Sequence, residues 1–180
     1  AENFNWKTTR ISPKWFARLW HRAQIPLPVE TFTGDIDVFH ATDFVLPPTK
    51  RKTRTLLTVH DLSFVRVPEA ASPRLKAYLD VVVPRSVHRA DHILADSQAT
   101  KDDLVALYDL HPEKITVLLS GVDSRFHPIS SGLMTTRSKY NIEKRPYIFT
   151  IGTVQPRKNY VRLVQALRRL RDSGIDIDLV

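Results

Sequence analysis

The sequence predicts an α/β fold with a mainly parallel sheet flanked by helices. Short, β-branched apolar segments alternate with helical patterns along the chain. These segments are apolar almost throughout, as in strands that are covered on both faces. The predicted strands are residues 36–40, 55–60, 92–96, 114–119, 147–151 and 175–180.

Helix starts and stripes account for the segments between these strands. Ser72 followed by Pro73 predicts a helix start, because serine caps the first turn and proline fits the first helical position. Pro84 lies inside the stripe that follows and predicts a kink or a restart. The stripe consists of Leu75, Tyr78, Leu79, Val82, Val83 and Val87.

Three further helices are predicted. One covers about residues 98–108, after the third strand, with Asp96 or Ser97 as its cap. Another follows Asn159 and ends before Gly174, a typical C-terminal cap. Near the N-terminus, a helix beginning at Ser12 and Pro13 carries aromatic residues that we interpret as a buried face: Trp15, Phe16 and Trp20.

The order of these elements predicts two domains. Residues 1–128 form an N-terminal α/β domain, and residues 129–145 form a linker. Residues 146–180 form the start of a second domain, since about 35 residues cannot bury an independent core.

Composition limits the classes of function. The formal net charge is +8 and the pI is near 9.9. Both favour polyanionic partners such as phosphorylated donors, anionic lipid surfaces or nucleic acid. The absence of cysteine excludes disulfide-linked partners and zinc–thiolate sites. No apolar run is long enough to cross a bilayer and the polar N-terminus has no signal-peptide core, so we expect a cytoplasmic location.

The most informative stretch runs from Ile148 to Asn159. An apolar strand passes through Gly152 and Thr153 into a turn that contains Arg157 and Lys158, and a helix follows. Unpaired amides and the helix dipole favour an anion at such a helix start. The stretch therefore predicts a phosphate site, although basic loop residues are more often solvated surface.

His60 and Asp61 follow the second predicted strand, at the sheet edge where ligands bind to open parallel sheets. His60 could donate a hydrogen bond to a sugar or phosphate, or take up a proton; a structural histidine is the alternative. For His40, at the end of the first strand, the structural interpretation is favoured. His88 and His92 are four residues apart, but the second begins a strand, so we predict no metal site.

In this order, the motifs resemble those of the group 1 (family 4) glycosyltransferases, over about residues 35 to 180. Each motif alone is common, and their specificity comes from their number and order. The matching segments are Asp37 to His40, Thr58 to Leu62, Pro68-Glu69, Ala90 to Ser97, Lys101 to Leu104, Lys114 to Val117, Gly121 to Asp123, Phe126 to Pro128, Gly152-Thr153 and Pro156 to Asn159.

The resemblance implies a GT-B fold, in which two Rossmann-like domains face a cleft. It implies a retaining enzyme that needs no metal or other cofactor and transfers a sugar from a nucleotide-sugar donor to a saccharide or lipid-linked acceptor. By resemblance, His60 is catalytic and lies near the transferred sugar, and Lys158 contacts the donor diphosphate. Asp61, Gly152, Thr153 and Arg157 are the other candidate substrate-binding residues.

Three departures from the family pattern affect these expectations. Thr153 stands where many relatives have arginine, which leaves open whether Arg157 supplies the second positive charge. The glycine-rich loop that opens the family's first domain is not found before Ile36, so the resemblance implies that the domain at residues 1–128 lacks its first strands. The paired-glutamate motif lies beyond Val180 in relatives, so we expect that the chain alone does not catalyse transfer.

Two alternatives use the same residues differently. The basic and aromatic N-terminal segment could serve a module that binds a membrane surface or nucleic acid without catalysis. Contact with the inner face of the membrane is also compatible with a transferase of lipid-linked acceptors, whereas no nucleic-acid motif is recognisable. A nucleotide-binding oxidoreductase lacks support, because the G-x-G-x-x-G fingerprint is missing.

Overall fold

The computed structural model describes residue 3 and residues 5–23, 25–128, 137–142 and 145–180. The chain divides into two compact units, Ala1–Ser120 and Gly121–Val180, and each has its own parallel sheet. Of the predicted linker 129–145, residues 129–136, 143 and 144 lie outside the described residues.

The first unit contains a four-stranded parallel sheet in the order β1-β2-β3-β4, which confirms the predicted Rossmann-like α/β fold. The strands are β1, Val38–Ala41; β2, Arg54–Val59; β3, His92–Ala95; and β4, Ile115–Val117. They are shorter than predicted at one or both ends, except that β2 begins one residue earlier and β1 extends one residue further. The register pairs Ala41 with Leu57, and Val59 with Ala95.

Short and long helices connect these strands. In the first unit they are α1, Pro13–Phe16, continued by a π-helix over Ala17–Arg22; α2, Glu30–Thr33; α3, Ser63–Arg66; α4, Pro73–Arg89; and α5, Gln98–Tyr108. Two single 3₁₀ turns lie at Pro68–Ala70 and Pro112–Lys114. The predicted starts of α4 and α5 are confirmed, because the Ser72 hydroxyl accepts from the Leu75 amide and the Ser97 hydroxyl from the Thr100 amide. Ser97, and not Asp96, is therefore the cap of α5.

The predicted restart of a helix at Pro84 is wrong, since α4 runs through this residue. A proline inside a helix costs about 3 kcal/mol, because it removes one hydrogen bond and crowds the preceding turn. Residues on both sides of it are buried, among them Val82, Val83 and Val87. Full burial of one valine is worth about 1.5 kcal/mol or more, so packing outweighs the cost of the proline.

The core of the first unit lies between the sheet and the long helices. Leu57, Val59 and Ile93 of the sheet are fully buried, together with Val83 of α4 and Leu104 of α5. Burial of both strand faces explains why the sequence of the strands is apolar without alternation. The polar residues that follow the strands are thereby held on a rigid frame.

The N-terminal aromatic residues divide into two groups. Phe16 stacks on Trp20 with ring centroids 4.5 Å apart, and both contact Phe32. Trp15 is 56% exposed, and the Arg18 guanidinium lies 5.0 Å from its ring centroid. The interpretation as a buried face is thus wrong for Trp15. No helix among the described residues is long and apolar enough to cross a membrane.

The second unit is small. Its strands, β5 at Tyr147–Ile148 and β6 at Asp178–Leu179, pair in parallel. Between them lie a 3₁₀ turn at Pro156–Lys158 and the helix α6, Tyr160–Asp172. Gly174 has a φ of +88° just past α6, which confirms it as the C-terminal cap. The predicted strand 147–151 is longer than the observed one.

Candidate functional site

Parallel register brings His60 and Asp96 together. Val59 and Ala95 are paired neighbours on β2 and β3, so the next residue of each strand leaves the sheet at the same edge. Nδ1 of His60 lies 2.8 Å from Oδ2 of Asp96, and Nε2 lies 3.1 Å from the carbonyl oxygen of Thr42. His60 is thus held at the carboxyl end of the sheet, where the sequence placed it.

The surroundings of His60 favour its charged form. The hydrogen bond with Asp96 raises the pKa of His60 above its ordinary value, and burial opposes this shift. The His60 side chain is 44% exposed, so solvent can reach the ring. The Phe44 ring meets the imidazole edge to face, with centroids 5.6 Å apart.

The start of α5 fixes the backbone at His60. The hydroxyl of Thr100, which is buried, donates to the carbonyl oxygen of His60 at 3.1 Å. Ser97 caps the same helix, so one turn of α5 orders both the helix and the end of β2. Sequence reasoning missed Asp96 and Thr100 as partners of His60. The sequence contained a signal for this contact. His60-Asp61 and Asp96-Ser97 each stand at the end of a predicted strand, and the ends of neighbouring parallel strands meet at one edge of the sheet.

Asp61 lies at the start of α3. Its Oδ1 accepts a hydrogen bond from the Ser63 amide at 2.8 Å, which is the geometry of a carboxylate that begins a helix. This bond gives Asp61 a structural task. A substrate-binding role for Asp61 stays a prediction.

The predicted phosphate loop lies in the second unit and is built around Gly152. This residue has a φ of +152°, a conformation that other residues rarely adopt. A methyl group on Gly152 would lie 3.1 Å from the Tyr160 hydroxyl oxygen and 3.7 Å from Cε of Lys158. The structure therefore brings Gly152 and Lys158 together, with Cδ and Cε of the lysine near the space that a side chain at residue 152 would occupy.

The helix start next to this loop suits an anion. The side chain of Asn159 makes no capping hydrogen bond, and the first turn of α6 contains no acidic residue. The positive end of the helix dipole is therefore not offset by a carboxylate of that turn. Arg157 lies in the preceding 3₁₀ turn, where its Nε donates to the side-chain oxygen of Gln155 at 3.1 Å. Thr153 is exposed on the same loop.

Other candidate residues have structural partners. Nε2 of His40 lies 2.8 Å from the Thr58 hydroxyl, which supports the structural interpretation. His88 lies in α4, whereas His92 begins β3 and contacts the Thr116 hydroxyl at 2.9 Å. Within the described ranges, no three His, Asp or Glu side chains are grouped as metal ligands would be.

Comparison with known proteins gives a family and several relatives. The family model described as Glycosyltransferase Family 4 matches residues 4–126. The chain is 28% identical to O-antigen chain mannosyltransferase B of Escherichia coli over 134 residues, which are 74% of this chain and 35% of that protein. It is 26% identical to O-antigen chain mannosyltransferase RfbU of Salmonella typhimurium over 168 residues, 93% of this chain and 42% of that protein.

A third relative is named for a different activity. The chain is 29% identical to D-inositol 3-phosphate glycosyltransferase of Salinispora tropica over 123 residues, which are 63% of this chain and 25% of that protein. The chain thus spans between a quarter and a little under half of the length of these relatives.

Proposed function

This chain belongs to glycosyltransferase family 4, and we propose that the complete protein transfers a sugar, with retention, from a nucleotide-sugar donor to a saccharide or lipid-linked acceptor. The names of two relatives, both O-antigen mannosyltransferases, support a mannose-type donor and a role in cell-surface polysaccharide or glycolipid synthesis. That the 180 residues alone do not catalyse transfer stays a prediction.

The observation that carries the proposal is the approach of Lys158 to Gly152. The side chain of Lys158 lies close to Gly152, where the loop carries no side chain, and the helix that starts beside this loop has no acidic residue in its first turn. As the sugar leaves, negative charge develops on the nucleoside diphosphate, and fixed positive groups stabilise it most in the transition state. Lys158 supplies a full charge for this purpose. Arg157, Thr153 and Gly152 complete the proposed donor-binding loop, and no metal is required.

In the first unit, we assign His60 to the sugar. Its half-exposed ring lies at the sheet edge that binds ligands in parallel α/β folds. A hydrogen bond from a fixed N–H group to a sugar hydroxyl or phosphate oxygen strengthens when that oxygen gains negative charge. Asp61 is proposed to bind substrate beside His60.

We place the protein in the cytoplasm, with peripheral contact to the membrane surface. Trp6 and Trp15 are 86% and 56% exposed, and Arg18 lies over the Trp15 ring. Exposed tryptophan beside basic residues is typical of surfaces that lie in a lipid interface. Binding of the complete protein to vesicles that contain anionic lipid should weaken with salt and with Trp15→Ala. Vesicle binding that Trp15→Ala leaves unchanged would contradict this assignment of the surface.

The donor site can be tested by calorimetry on the complete protein with UDP-, GDP-, ADP- and dTDP-sugars. We expect one nucleotide to bind and Lys158→Ala to weaken it about ten- to 100-fold, the value of a hydrogen bond to a charged group. Lys139→Ala is the matched control, since it removes the same charge from a side chain that lies over Tyr140. It should leave the donor affinity unchanged.

Two results would overturn the proposal. One is a folded protein that binds none of these donors. The other is a donor that binds Lys158→Ala and the unaltered protein equally well. In the first case, salt-sensitive binding to arbitrary DNA would favour the competing hypothesis of a basic nucleic-acid module, and we predict that no such binding occurs.

A further inference from the structure

Both ring nitrogens of His60 face hydrogen-bond acceptors. Nδ1 meets the Asp96 carboxylate at 2.8 Å, and Nε2 meets the Thr42 carbonyl oxygen at 3.1 Å. A carbonyl oxygen and an ionised carboxylate cannot donate. Each contact is therefore a hydrogen bond only if the nitrogen concerned carries a proton.

Neither neutral tautomer of His60 satisfies this arrangement. With the proton on Nδ1, the lone pair of Nε2 points at the Thr42 carbonyl; with the proton on Nε2, the lone pair of Nδ1 points at the Asp96 carboxylate. The imidazolium form donates to both. The geometry thus selects the cation.

The charged groups around His60 agree with this selection. Asp96 faces the ring from the end of β3, and Asp43 adds negative charge from the loop after β1. Phe44 of that loop and Thr100 of α5 are uncharged, and Thr100 reaches the His60 carbonyl rather than the ring. Burial opposes the cation, but the ring is 44% exposed. Asp96 and Asp43 thus both act on this ring with negative charge.

We propose that Asp96 is a positioning residue that holds His60 in its doubly protonated form. His60 then serves the transfer reaction as a cationic hydrogen-bond donor and not as a general base. The proposal rests on the glycosyl-transfer function and on the role of His60 in it. The Nδ1–H bond to Asp96 orients the ring. The Nε2–H bond is directed at a neutral carbonyl, which a sugar hydroxyl or phosphate oxygen can replace.

The first test uses the unaltered complete protein. Nitrogen-15 NMR at about pH 7, with the His60 signals identified by their loss in His60→Gln, should give the chemical shifts of two protonated ring nitrogens. The signals should titrate above the range of an ordinary histidine. A neutral ring at this pH would overturn the proposal, and the result does not depend on whether a donor binds.

The second test uses Asp96→Asn, which keeps the shape of the side chain and removes its charge. We expect the His60 pKa to fall, because the substitution removes an opposite charge within hydrogen-bond distance of the ring. At about pH 8, kcat/KM should then fall about tenfold, and most of this loss should return at about pH 6, where the ring is protonated again. KM for the donor should change less than kcat.

Asp43→Asn is the matched control, since it removes a nearby carboxylate without a hydrogen bond to the ring. It should shift the His60 pKa less than Asp96→Asn does. A loss in Asp96→Asn that is equal at both pH values would mean a merely structural role and would overturn the proposal. Failure of the function itself is recognised separately, because no donor would then bind the unaltered protein.

Discussion

Replacement of Gly152 by alanine tests the proposed donor-binding loop directly. The φ of +152° would be strained for any residue with a Cβ, and such a conformation costs about 1–2 kcal/mol. The contact with the Tyr160 hydroxyl at 3.1 Å adds little, because a side-chain end can move by a few tenths of an ångström. Strain of the backbone therefore accounts for most of the expected effect.

The cost of Gly152→Ala must appear in one of two measurable quantities. If the loop keeps its shape, the free energy of unfolding falls by about 1–2 kcal/mol; if the loop relaxes, Lys158 moves and the donor Kd rises by a factor of about 5 to 30. Urea unfolding and calorimetry on the complete protein measure the two. The double variant with Tyr160→Phe should recover only a small part of the loss, since it removes the contact and leaves the strain.

Two glycines of the same unit are matched controls. Gly174 also has a positive φ, +88°, but a methyl group there meets nothing within 4 Å, so Gly174→Ala should lower stability without changing donor affinity. Gly121 has neither a positive φ nor a close neighbour, and Gly121→Ala should change neither quantity. Unchanged stability and unchanged affinity in Gly152→Ala would refute the reasoning.

Substitutions at three further residues test the first unit. Leu104→Ala should lower the free energy of unfolding by about 2–5 kcal/mol, because the side chain is fully buried, and urea unfolding measures this. Ser97→Ala should cost about 1 kcal/mol by the same measurement, whereas Ser97→Asn, which can cap, should cost less. Asp91 accepts from the Thr55 amide and hydroxyl at 2.8 and 2.7 Å, and these bonds lower its pKa. The contribution of these bonds to stability is therefore present above the ordinary pKa of Asp91 and is lost as pH falls through the lower pKa of the folded state. Asp91→Asn should thus flatten the loss of stability in acid. An unchanged dependence of stability on pH in acid would contradict this.

Local sequence signals predicted the starts of α4 and α5 well, because each of these helices begins after a serine, a residue that favours helix starts. The cap of α5 is a serine, the helix covers residues 98–108 as expected, and it ends at Asp109 in a left-handed conformation. The failure at Pro84 has the opposite cause. A local rule for proline cannot include the burial of the helix on both sides of it, which is a property of the folded unit.

The second unit was harder to predict from sequence. Residues 147–151 are apolar enough for a buried strand, yet Phe149 and Ile151 are 64% and 83% exposed. Of these five residues, Tyr147 and Ile148 pair with β6. Periodicity records which residues can be covered and does not record what covers them. The loop was predicted as a phosphate site, which stays a prediction, and the proximity of Lys158 to Gly152 is a finding of the structure.

At the end of β2, sequence reasoning predicted the position of His60 and missed its contact with Asp96. His60 was predicted from its place after a strand, and Asp96 was considered only as a cap for α5. The pairing of the two follows from register, because equal strand ends in a parallel pair place the next residues side by side. The charge state that we propose for His60 rests on these contacts, which no composition or spacing rule contains.

The net charge of +8 is less informative than the pairing of individual cations. In the basic loop at residues 50–54, Lys50 and Lys52 both contact Asp35 at 2.9 Å, and Arg54 contacts Asp91 at 3.1 Å. Exposed ion pairs add little to stability. They do reduce the positive potential that this loop presents to a polyanion.

Lys158 differs from this loop in what lies around it. Within the part of the chain that the structure describes, it has no carboxylate partner, and the helix start beside it adds positive potential. A cation whose charge is not offset binds an anion without first breaking an ion pair. The same reasoning separates two hypotheses: a nucleic-acid module would need many such cations over a surface, whereas a donor diphosphate needs a few at one point. Lys158 beside Gly152 fits the second requirement, and the basic loop at residues 50–54 does not fit the first.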